Sequence, residues 1–162
     1  MSFVIGIDPG AAGAVAILED GKLVQVFDMP VVEVSVGNKN KKRVAPELLA
    51  SELRLYNLAD TVAVVEQVGA MPGQGVTSMF AFGQAYGLVL GVLAGLWIPT
   101  STVTPATWKK ALKLNPGKDG ARLKASQLWP AQAGEFKRVK DDGRAEAALL
   151  AYWLAVVPKN LV

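Results

Sequence analysis

Acidic side chains stand next to strongly apolar segments at three places in the sequence. Asp8 ends the run FVIGID, Glu66 ends the run TVAVVE, and Asp142 and Glu146 open the apolar segment DGRAEAALLAYWLAVV. An unpaired carboxylate at the end of a buried strand is energetically costly, and acids at i and i+4 project from one helical face. Two strand ends and one helix start could therefore gather four carboxylates whose mutual repulsion a divalent cation relieves.

The sequence contains no cysteine and no histidine, which restricts the available chemistry. Thiolate catalysis, imidazole catalysis and the usual zinc sites are excluded. Carboxylates prefer hard cations such as magnesium or manganese. Two such ions about 3.5 to 4 Å apart activate water and stabilise the leaving oxygen in phosphodiester hydrolysis. We therefore expect two magnesium ions per site, with manganese as a substitute.

Each acid also has a structural explanation. Asp8 suits the turn sequence D-P-G, and acids in the first turn of the last helix interact favourably with the helix dipole. Taken singly, these explanations are preferable to a catalytic role. Because two carboxylates end apolar strands and two open a helix, the joint pattern favours a functional site.

The chain of 162 residues, 51% of them hydrophobic, predicts one α/β domain over residues 1–162. No basic segment leads into an apolar one at the start, so we expect no signal peptide and a cytoplasmic location. We predict strands over 3–8, 14–18, 23–28, 61–67 and 98–104. We predict a polar basic loop over 36–43 and helices over 45–59, within 79–98, and over 105–114, 121–129 and 142–157.

The segment 79–98, MFAFGQAYGLVLGVLAGLWI, is uncharged and long enough to span a bilayer. Glycine recurs in it at every fourth position, a pattern of close helix pairing, at Gly83, Gly87, Gly91 and Gly95. The glycines and Gln84 weaken the hydropathy, and basic flanks are lacking. We therefore expect no membrane span but a helix packed on its own sheet, on a partner subunit, or on both through different faces.

Several segments together carry a family resemblance. They are GIDPG with Asp8, VVEQV with Glu66, FAFGQAYGLVLGVL, VTPATWKKAL, and DGRAEAALLA with Glu146. In this order they resemble the RuvC family of Holliday junction resolvases, in particular the branch encoded by phages and prophages. The resemblance implies an RNase H-like fold with a mixed five-stranded sheet flanked by helices. It also implies a homodimer that makes paired, magnesium-dependent nicks in four-way DNA junctions, in a bacterial or phage-infected cell.

The resemblance also implies roles for individual residues. Asp8, Glu66 and Glu146 correspond to metal ligands of the family. Many bacterial members place a fourth acid at the position of Gly143, so Asp142 or Asp141 must substitute, and Asp142 is preferred because it shares a helical face with Glu146.

Other implied roles concern the phosphate and the partner. Lys124 corresponds to a family lysine near the scissile phosphate, and its structural alternative is a solvated helix lysine. The glycine-striped helix, with Gly83, Gly87 and Gly91, corresponds to a helix of the dimer interface. An aromatic residue that engages the junction centre in many members is replaced by Gly69, so we expect Met71 or Phe80 to take its part.

The net charge is only +3, but the basic residues are clustered along the chain. Clusters of this kind can neutralise phosphates and make binding salt-dependent. As DNA-binding residues we predict Lys39, Lys41, Lys42, Arg43, Lys109, Lys110, Lys118, Arg122 and Lys124. Because no set of residues reads bases convincingly, we expect recognition of the junction by shape.

Three other functions remain open. The glycine at position 143 keeps open a junction-binding protein that does not cleave. The sequence DPGAAG is also typical of actin-like nucleotide-binding proteins, although that architecture needs two such domains. A related RNase H-like nuclease would share the chemistry and differ in its branched DNA substrate.

Overall fold

The computed structural model describes residues 2–117 and 119–157. Seven strands form within them: β1 (Phe3–Asp8), β2 (Ala14–Glu19), β3 (Lys22–Asp28), β4 (Val31–Val36), β5 (Lys39–Val44), β6 (Thr61–Glu66) and β7 (Thr100–Val103). Five of them form one sheet in the order β3, β2, β1, β6, β7, while β4 and β5 form a separate hairpin. β1 pairs antiparallel with β2 and parallel with β6. The predicted mixed five-stranded sheet is therefore confirmed.

Helices cover both faces of the sheet. They are α1 (Pro46–Leu53), α2 (Val76–Gly95), α3 (Pro105–Ala111), α4 (Gly120–Leu128) and α5 (Asp142–Val156), with 3₁₀ turns at Leu58–Asp60, Pro130–Phe136 and Val139–Asp141. The start of α3 follows the sequence closely. Pro105 occupies the first helical position, and the Thr104 hydroxyl oxygen accepts a hydrogen bond from the backbone N–H of Thr107 at 3.3 Å.

The sheet has a hydrophobic core on each face. On one face, Ile5, Ile7 and Val65 pack with Leu49 of α1 and Val89 of α2. On the other face, α5 packs with α3 and α4 against the alternate strand residues. Since both faces of β1 and β6 are buried, these strands have continuous apolar sequences rather than alternating ones.

Gly6 allows α5 to lie directly on β1. A Cβ atom at Gly6 would collide with the backbone oxygen of Ala147 and lie 2.5 Å from the backbone nitrogen of Ala151. The helix also presents small side chains to the sheet, including the fully buried Ala145 and Ala148. The close approach of the two backbones therefore fixes the position of α5 over the end of β1.

The basic segment 36–43 forms part of a β-hairpin, so its prediction as a loop is wrong. β4 and β5 pair antiparallel across the two-residue turn 37–38, in which Gly37 has a φ of +61°. The valines of VVEVSV favour a strand, whereas lysine and asparagine in KNKKRV disfavour one. The pairing with β4 outweighs the weak intrinsic preference of β5.

Two predicted helices are too long. α1 ends at Leu53, because the side-chain oxygen of Asn57 accepts a hydrogen bond from the backbone N–H of Ala59 and begins a separate 3₁₀ turn. α3 ends at Ala111, because Lys113 has a φ of +52° and cannot continue a right-handed helix. The other predicted elements agree with the structure within two residues at most boundaries.

The glycine stripe of α2 faces away from the sheet. Ala85, Val89 and Leu93 are the buried residues of the helix, whereas Cβ atoms at the stripe glycines would meet nothing within 4 Å. Packing of the stripe on its own sheet is therefore not observed. Within the described part of the chain, α2 is the one helix long and apolar enough to cross a membrane. Its most apolar 18-residue stretch has a mean hydropathy of 1.5, and 17% of that stretch is buried.

The contact between Gly6 and α5 predicts a large effect of a single methyl group. Gly6→Ala should lower the free energy of unfolding by about 3 kcal/mol, because backbone atoms of α5 cannot move aside singly. Gly134→Ala is the control, since a Cβ there would meet nothing within 4 Å, and it should change stability by less than about 0.5 kcal/mol. Urea unfolding followed by circular dichroism measures both, and equal stabilities would contradict the close packing.

Candidate active site

Asp8 and Glu66 lie side by side at one edge of the sheet. The parallel register pairs Ile7 with Val65, so the last residues of β1 and β6 are neighbours. Because side chains alternate along each strand, both carboxylates project from the face that α5 covers. The structure thus brings together the two acids that the sequence places at strand ends.

A compact turn follows Asp8, as the glycines of DPGAAG predict. The backbone N–H of Gly13 donates to the oxygen of Gly10 at 2.9 Å, and a Cβ at Gly13 would collide with the backbone oxygen of Asp8. The N–H of Met29 donates to the oxygen of Gly13 at 2.9 Å. The turn is therefore anchored to the end of β3 and leaves no room for a side chain at position 13.

α5 carries Glu146 to the same edge. Its first turn packs on the turn after β1, where a Cβ at Gly143 would lie 3.1 Å from the backbone oxygen of Ala12 and 3.2 Å from Asp8 Oδ2. The position at which many bacterial RuvC proteins carry an acid therefore faces Asp8 directly. In this chain the backbone of the turn would crowd the Cβ atom of any side chain at position 143.

The carboxylates of Asp8, Glu66 and Glu146 share a poorly hydrated region. Burial, followed by the charges of Glu146 and Glu66, raises the pKa of Asp8 to about 7. Burial also raises the pKa of Glu66, and the charge of Glu146 adds to this shift. Negative charges that destabilise one another in this way form an environment that a bound cation would stabilise.

Two consecutive residues of α3 contact these acids. Trp108 is fully buried and donates a hydrogen bond from Nε1 to Glu66 Oε2 at 2.7 Å. Lys109 Nζ donates to Glu146 Oε1 at 2.5 Å and lies 5.2 Å from the centre of a Trp108 ring. Burial alone would lower the pKa of Lys109, but the hydrogen bond and charge of Glu146 raise it.

The sequence analysis gave Trp108 no role and placed Lys109 only among the DNA-binding residues. The sequence feature that could have indicated both residues is their position in the segment VTPATWKKAL. That segment begins a helix directly after β7, the strand next to β6, at the edge of the sheet that carries Glu66.

Asp142 shares a pocket with Glu146 but is paired with an arginine. Arg122 Nε donates to Asp142 Oδ1 at 2.7 Å, and the same guanidinium contacts Asp119. Asp142, Glu146 and Lys109 line one pocket. The predicted common face of the two acids is therefore present, while the Asp142 carboxylate is held by Arg122.

Asp141 is buried and paired with an arginine. Its side chain is 1% exposed and pairs with Arg138 at 2.8 Å. It also accepts a hydrogen bond from the backbone N–H of Arg138 at 2.8 Å, which caps the turn before α5. As a fourth acid, Asp141 would have to leave these contacts.

Five of the predicted DNA-binding residues are exposed, namely Lys39, Lys41, Lys42 and Arg43 on β5 and Lys110 on α3. Lys118 lies outside the described residues. The remaining three, Lys109, Arg122 and Lys124, are partly buried. The exposed set is therefore concentrated on the hairpin.

Two of the predicted basic residues, Arg122 and Lys124, differ in their surroundings. The Arg122 side chain is 13% exposed and engaged by Asp142 and Asp119, so contact with a phosphate would require these ion pairs to open. Lys124 follows Arg122 by two residues and lies about 200° around the helix from it. Lys124 forms no ion pair with an acid of the described residues, and the lysine that contacts the acids is Lys109.

The donor set suits a hard divalent cation. As the side chains stand, no three acids within residues 2–117 and 119–157 are placed to share one ion, and Trp108 and Lys109 hydrogen-bond to Glu66 and Glu146. Carboxylate oxygens are the ligands that magnesium and manganese prefer. Asp8, Glu66 and Glu146 therefore have the right chemistry for such an ion, with Lys109 occupying Glu146 in this structure.

Comparison with solved structures identifies the fold. The chain superposes on Thermus thermophilus RuvC in complex with a Holliday junction substrate with a TM-score of 0.59, at 17% identity, over 94% of this chain and 92% of that chain. The chain has the RuvC fold. Another Thermus thermophilus RuvC structure gives a TM-score of 0.50 at 18% identity over 94% and 95% of the two chains. The expected RNase H-like architecture of RuvC is thus confirmed.

Sequence comparison is more limited. No family model matches the chain. It is 32% identical over 101 residues to the chloroplastic Holliday junction resolvase MOC1 of Chlamydomonas reinhardtii. The matched segment is 60% of this chain and 12% of that protein, so the chain corresponds to a small part of this relative.

The raised pKa of Asp8 predicts pH-dependent stability of the metal-free RuvC fold. The folded state keeps a proton on Asp8 from the ordinary pKa of 3.8 up to about 7, whereas the unfolded chain releases it. The resulting stabilisation is full below about pH 4 and is lost as the pH rises through about 7. Asp8→Asn should therefore be more stable than wild type at about pH 8, by up to about 4 kcal/mol, and nearly equal at about pH 4.

Thermal unfolding with and without magnesium completes this test. Magnesium at about pH 8 should raise the Tm of the wild type more than that of Asp8→Asn, because only the wild type gains a counter-ion for the buried charge. Equal shifts would contradict a cation site at Asp8.

The indole of Trp108 predicts a separate effect on the site. Trp108→Phe keeps an aromatic ring but removes the hydrogen bond to Glu66, which should reduce the magnesium-induced rise in Tm. Trp153→Phe is the matched control, since Trp153 Nε1 is buried without a hydrogen-bond partner among the described residues. If the two variants respond alike to magnesium, Trp108 does not position Glu66.

Proposed function

We propose that this chain is a divalent-metal-dependent endodeoxyribonuclease that resolves four-way DNA junctions by paired nicks, with related branched DNA as a further substrate. Such an activity serves recombination, repair or phage DNA processing. The observation that carries the proposal is the convergence of Asp8, Glu66 and Glu146 from β1, β6 and α5 at one edge of a RuvC fold. The name of the MOC1 relative and the junction bound to Thermus RuvC support it.

Asp8, Glu66, Glu146 and Asp142 are the residues that we assign to the metals. Two magnesium ions, or manganese, would activate a water molecule and stabilise the leaving 3′ oxygen when bound there. Water is the nucleophile in this scheme because the metals would activate it directly, so no covalent enzyme intermediate is needed. Asp142 joins the set only if it leaves Arg122, which currently holds it at 2.7 Å.

The surrounding residues orient and balance the acids. Trp108 binds one oxygen of Glu66 and leaves the other available. Lys109 lies within the electrostatic reach of all three clustered carboxylates, so it can also donate to a phosphate oxygen brought to the site. We assign this role to Lys109 in preference to Lys124.

We also propose a homodimer that uses the exposed stripe of Gly83, Gly87 and Gly91 on α2. Open space at these glycines permits close approach of a second helix. Two active sites related by a two-fold axis suit paired cuts in a junction of similar symmetry.

The junction centre is the proposed target of exposed apolar side chains near the start of α2. Phe80 is 74% exposed and Met71 is 63% exposed, although Gly69 replaces the aromatic of many bacterial RuvC proteins. Aromatic side chains can stack on unpaired bases. Phe80 is therefore our first candidate for this contact.

The finer placement of the protein is a further part of the proposal. We place it in the phage and prophage branch of the RuvC family, acting in the cytoplasm of a bacterial or phage-infected cell. The ordered motifs from GIDPG to DGRAEAALLA support this placement, as does Gly143 in place of an acid.

Cleavage of a synthetic immobile four-way junction, beside linear duplex and flap DNA, tests the function. Wild type in magnesium should make paired symmetrical nicks in the junction. Asp8→Asn and Glu146→Gln should lower the rate by about a thousandfold or more, since each removes a metal ligand. Asp28→Asn is the control, because Asp28 lies at the same sheet edge but pairs with Arg144.

Asp142→Asn decides the fourth acid. A loss comparable to that of Glu146→Gln would establish Asp142 as a ligand, whereas near-normal cleavage would leave three acids. Junction binding without nicking in magnesium or manganese would contradict the nuclease and indicate a binding protein. Preferential cleavage of flap DNA would indicate a related nuclease.

A further inference from the structure

The β4–β5 hairpin is rooted at the edge of the sheet that carries the acids. The registers pair Asp8 with Ala14, and Ala14 with Asp28, so β3 ends at the same sheet edge as Asp8, with β2 between them. β4 begins three residues later, and a hydrogen bond of 2.9 Å from the N–H of Ala45 to the oxygen of Pro30 closes the base of the hairpin. The hairpin therefore starts at the edge that carries the acids, and its base packs on the α1 and α2 side of the sheet.

The two faces of the hairpin differ in composition. Cross-strand partners project from the same face. One face, here called the outer face, carries the pairs Val32–Arg43, Val34–Lys41 and Val36–Lys39. The opposite face carries the pairs Val31–Val44, Glu33–Lys42 and Ser35–Asn40. Since Val44 is buried and Val31 packs on the core of α1 and α2, the opposite face turns toward the body at the base and the outer face turns away.

The charged residues of the outer face are all cations. Lys39, Lys41 and Arg43 are exposed and no acid lies on their face, whereas Lys42 stands opposite Glu33. None of the three forms an ion pair within residues 2–117 and 119–157. They therefore present three uncompensated positive charges to the solvent.

The spacing of these charges fits a DNA backbone. Alternate residues of a strand are about 6.7 Å apart, so the three cations span about 13 Å. One strand of B-DNA carries about four phosphates over that length of the helix axis. A two-stranded ribbon is also narrow enough to lie along a DNA groove.

We propose that the outer face of the β4–β5 hairpin binds the phosphate backbone of a duplex arm beside the cleavage site. The inference rests on the proposed function and deepens it, because it assigns one substrate arm to three named side chains. The contacts are to phosphates, so they position the arm and carry no sequence preference.

The salt dependence of junction binding tests this assignment. Fluorescence anisotropy with a labelled four-way junction, without divalent metal, gives the slope of log Kd against log salt between about 50 and 200 mM. The double variant Lys39→Gln/Arg43→Gln should reduce the magnitude of that slope by about 2, since each lost phosphate contact removes about 0.9. The matched double Lys22→Gln/Arg54→Gln removes the same charges from exposed positions outside the hairpin and should leave the slope nearly unchanged.

Two single variants test which face of the hairpin binds the phosphates. Lys41→Gln should reduce the slope by about 0.9, and Lys42→Gln, on the same strand but the opposite face, by clearly less. Unchanged slopes in the outer-face variants, or equal reductions in both double variants, would overturn the hairpin assignment. Melting temperatures measured in parallel verify that each variant is folded, and the single variants replace any double variant that is not.

The proposed nuclease activity is tested separately from the hairpin assignment. Paired nicking of the junction by wild type at low salt supports the function whichever way the slopes fall. Failure of the wild type to bind or nick any junction would overturn the function, and with it the hairpin assignment.

Discussion

The close contact between α5 and β1 is the constraint on which the candidate site depends. Only the missing side chain of Gly6 lets the backbone of α5 reach the strand. That contact places Glu146 over the end of β1 and presses Gly143 against the turn that follows Asp8. A glycine in the middle of a strand weakens the strand itself. The close approach of α5 to β1 explains why Gly6 is present here.

Gathering the acids at one place destabilises the folded state, and contacts from neighbouring residues offset part of this destabilisation. Burial and mutual repulsion raise the pKa of Asp8 to about 7. A hydrogen bond from Trp108 stabilises Glu66, and the ammonium of Lys109 neutralises Glu146. At the proposed metal site, a divalent cation would supply the charge that one lysine provides only in part. Destabilised acid clusters of this kind are an expected compromise between stability and function.

One edge of the molecule combines chemistry with surfaces for partners. The acid cluster and the root of the hairpin share that edge through the pairing of β1, β2 and β3. The glycine stripe of α2 leaves a smooth helical face away from the core. The proposed nuclease would need a reactive centre, a surface that binds a duplex arm and an interface that pairs two active sites. The acid cluster, the hairpin and α2 are the candidates for these three roles.

Sequence patterns alone predict the strands that end in Asp8 and Glu66, the mixed sheet and the common face of Asp142 and Glu146. These features depend on local periodicity, and strand alternation and helical spacing can be read without knowing what packs against them. The sequence motifs also indicated the fold. The conformation of KNKKRV could not be read in this way, because pairing with β4 overrides its weak strand preference.

Which side chains meet depends on how distant segments pack together. Trp108 and Lys109 reach the acids because β7 lies beside β6 and delivers the start of α3 to the same edge. Arg122 became a partner of Asp142, and Asp141 a partner of Arg138, through contacts between segments that local spacing does not relate. The structural role of each glycine likewise depends on its neighbours in space. Gly6 faces a helix backbone, whereas the α2 glycines face open space. Such pairings depend on packing in three dimensions, and no local pattern of residues encodes them.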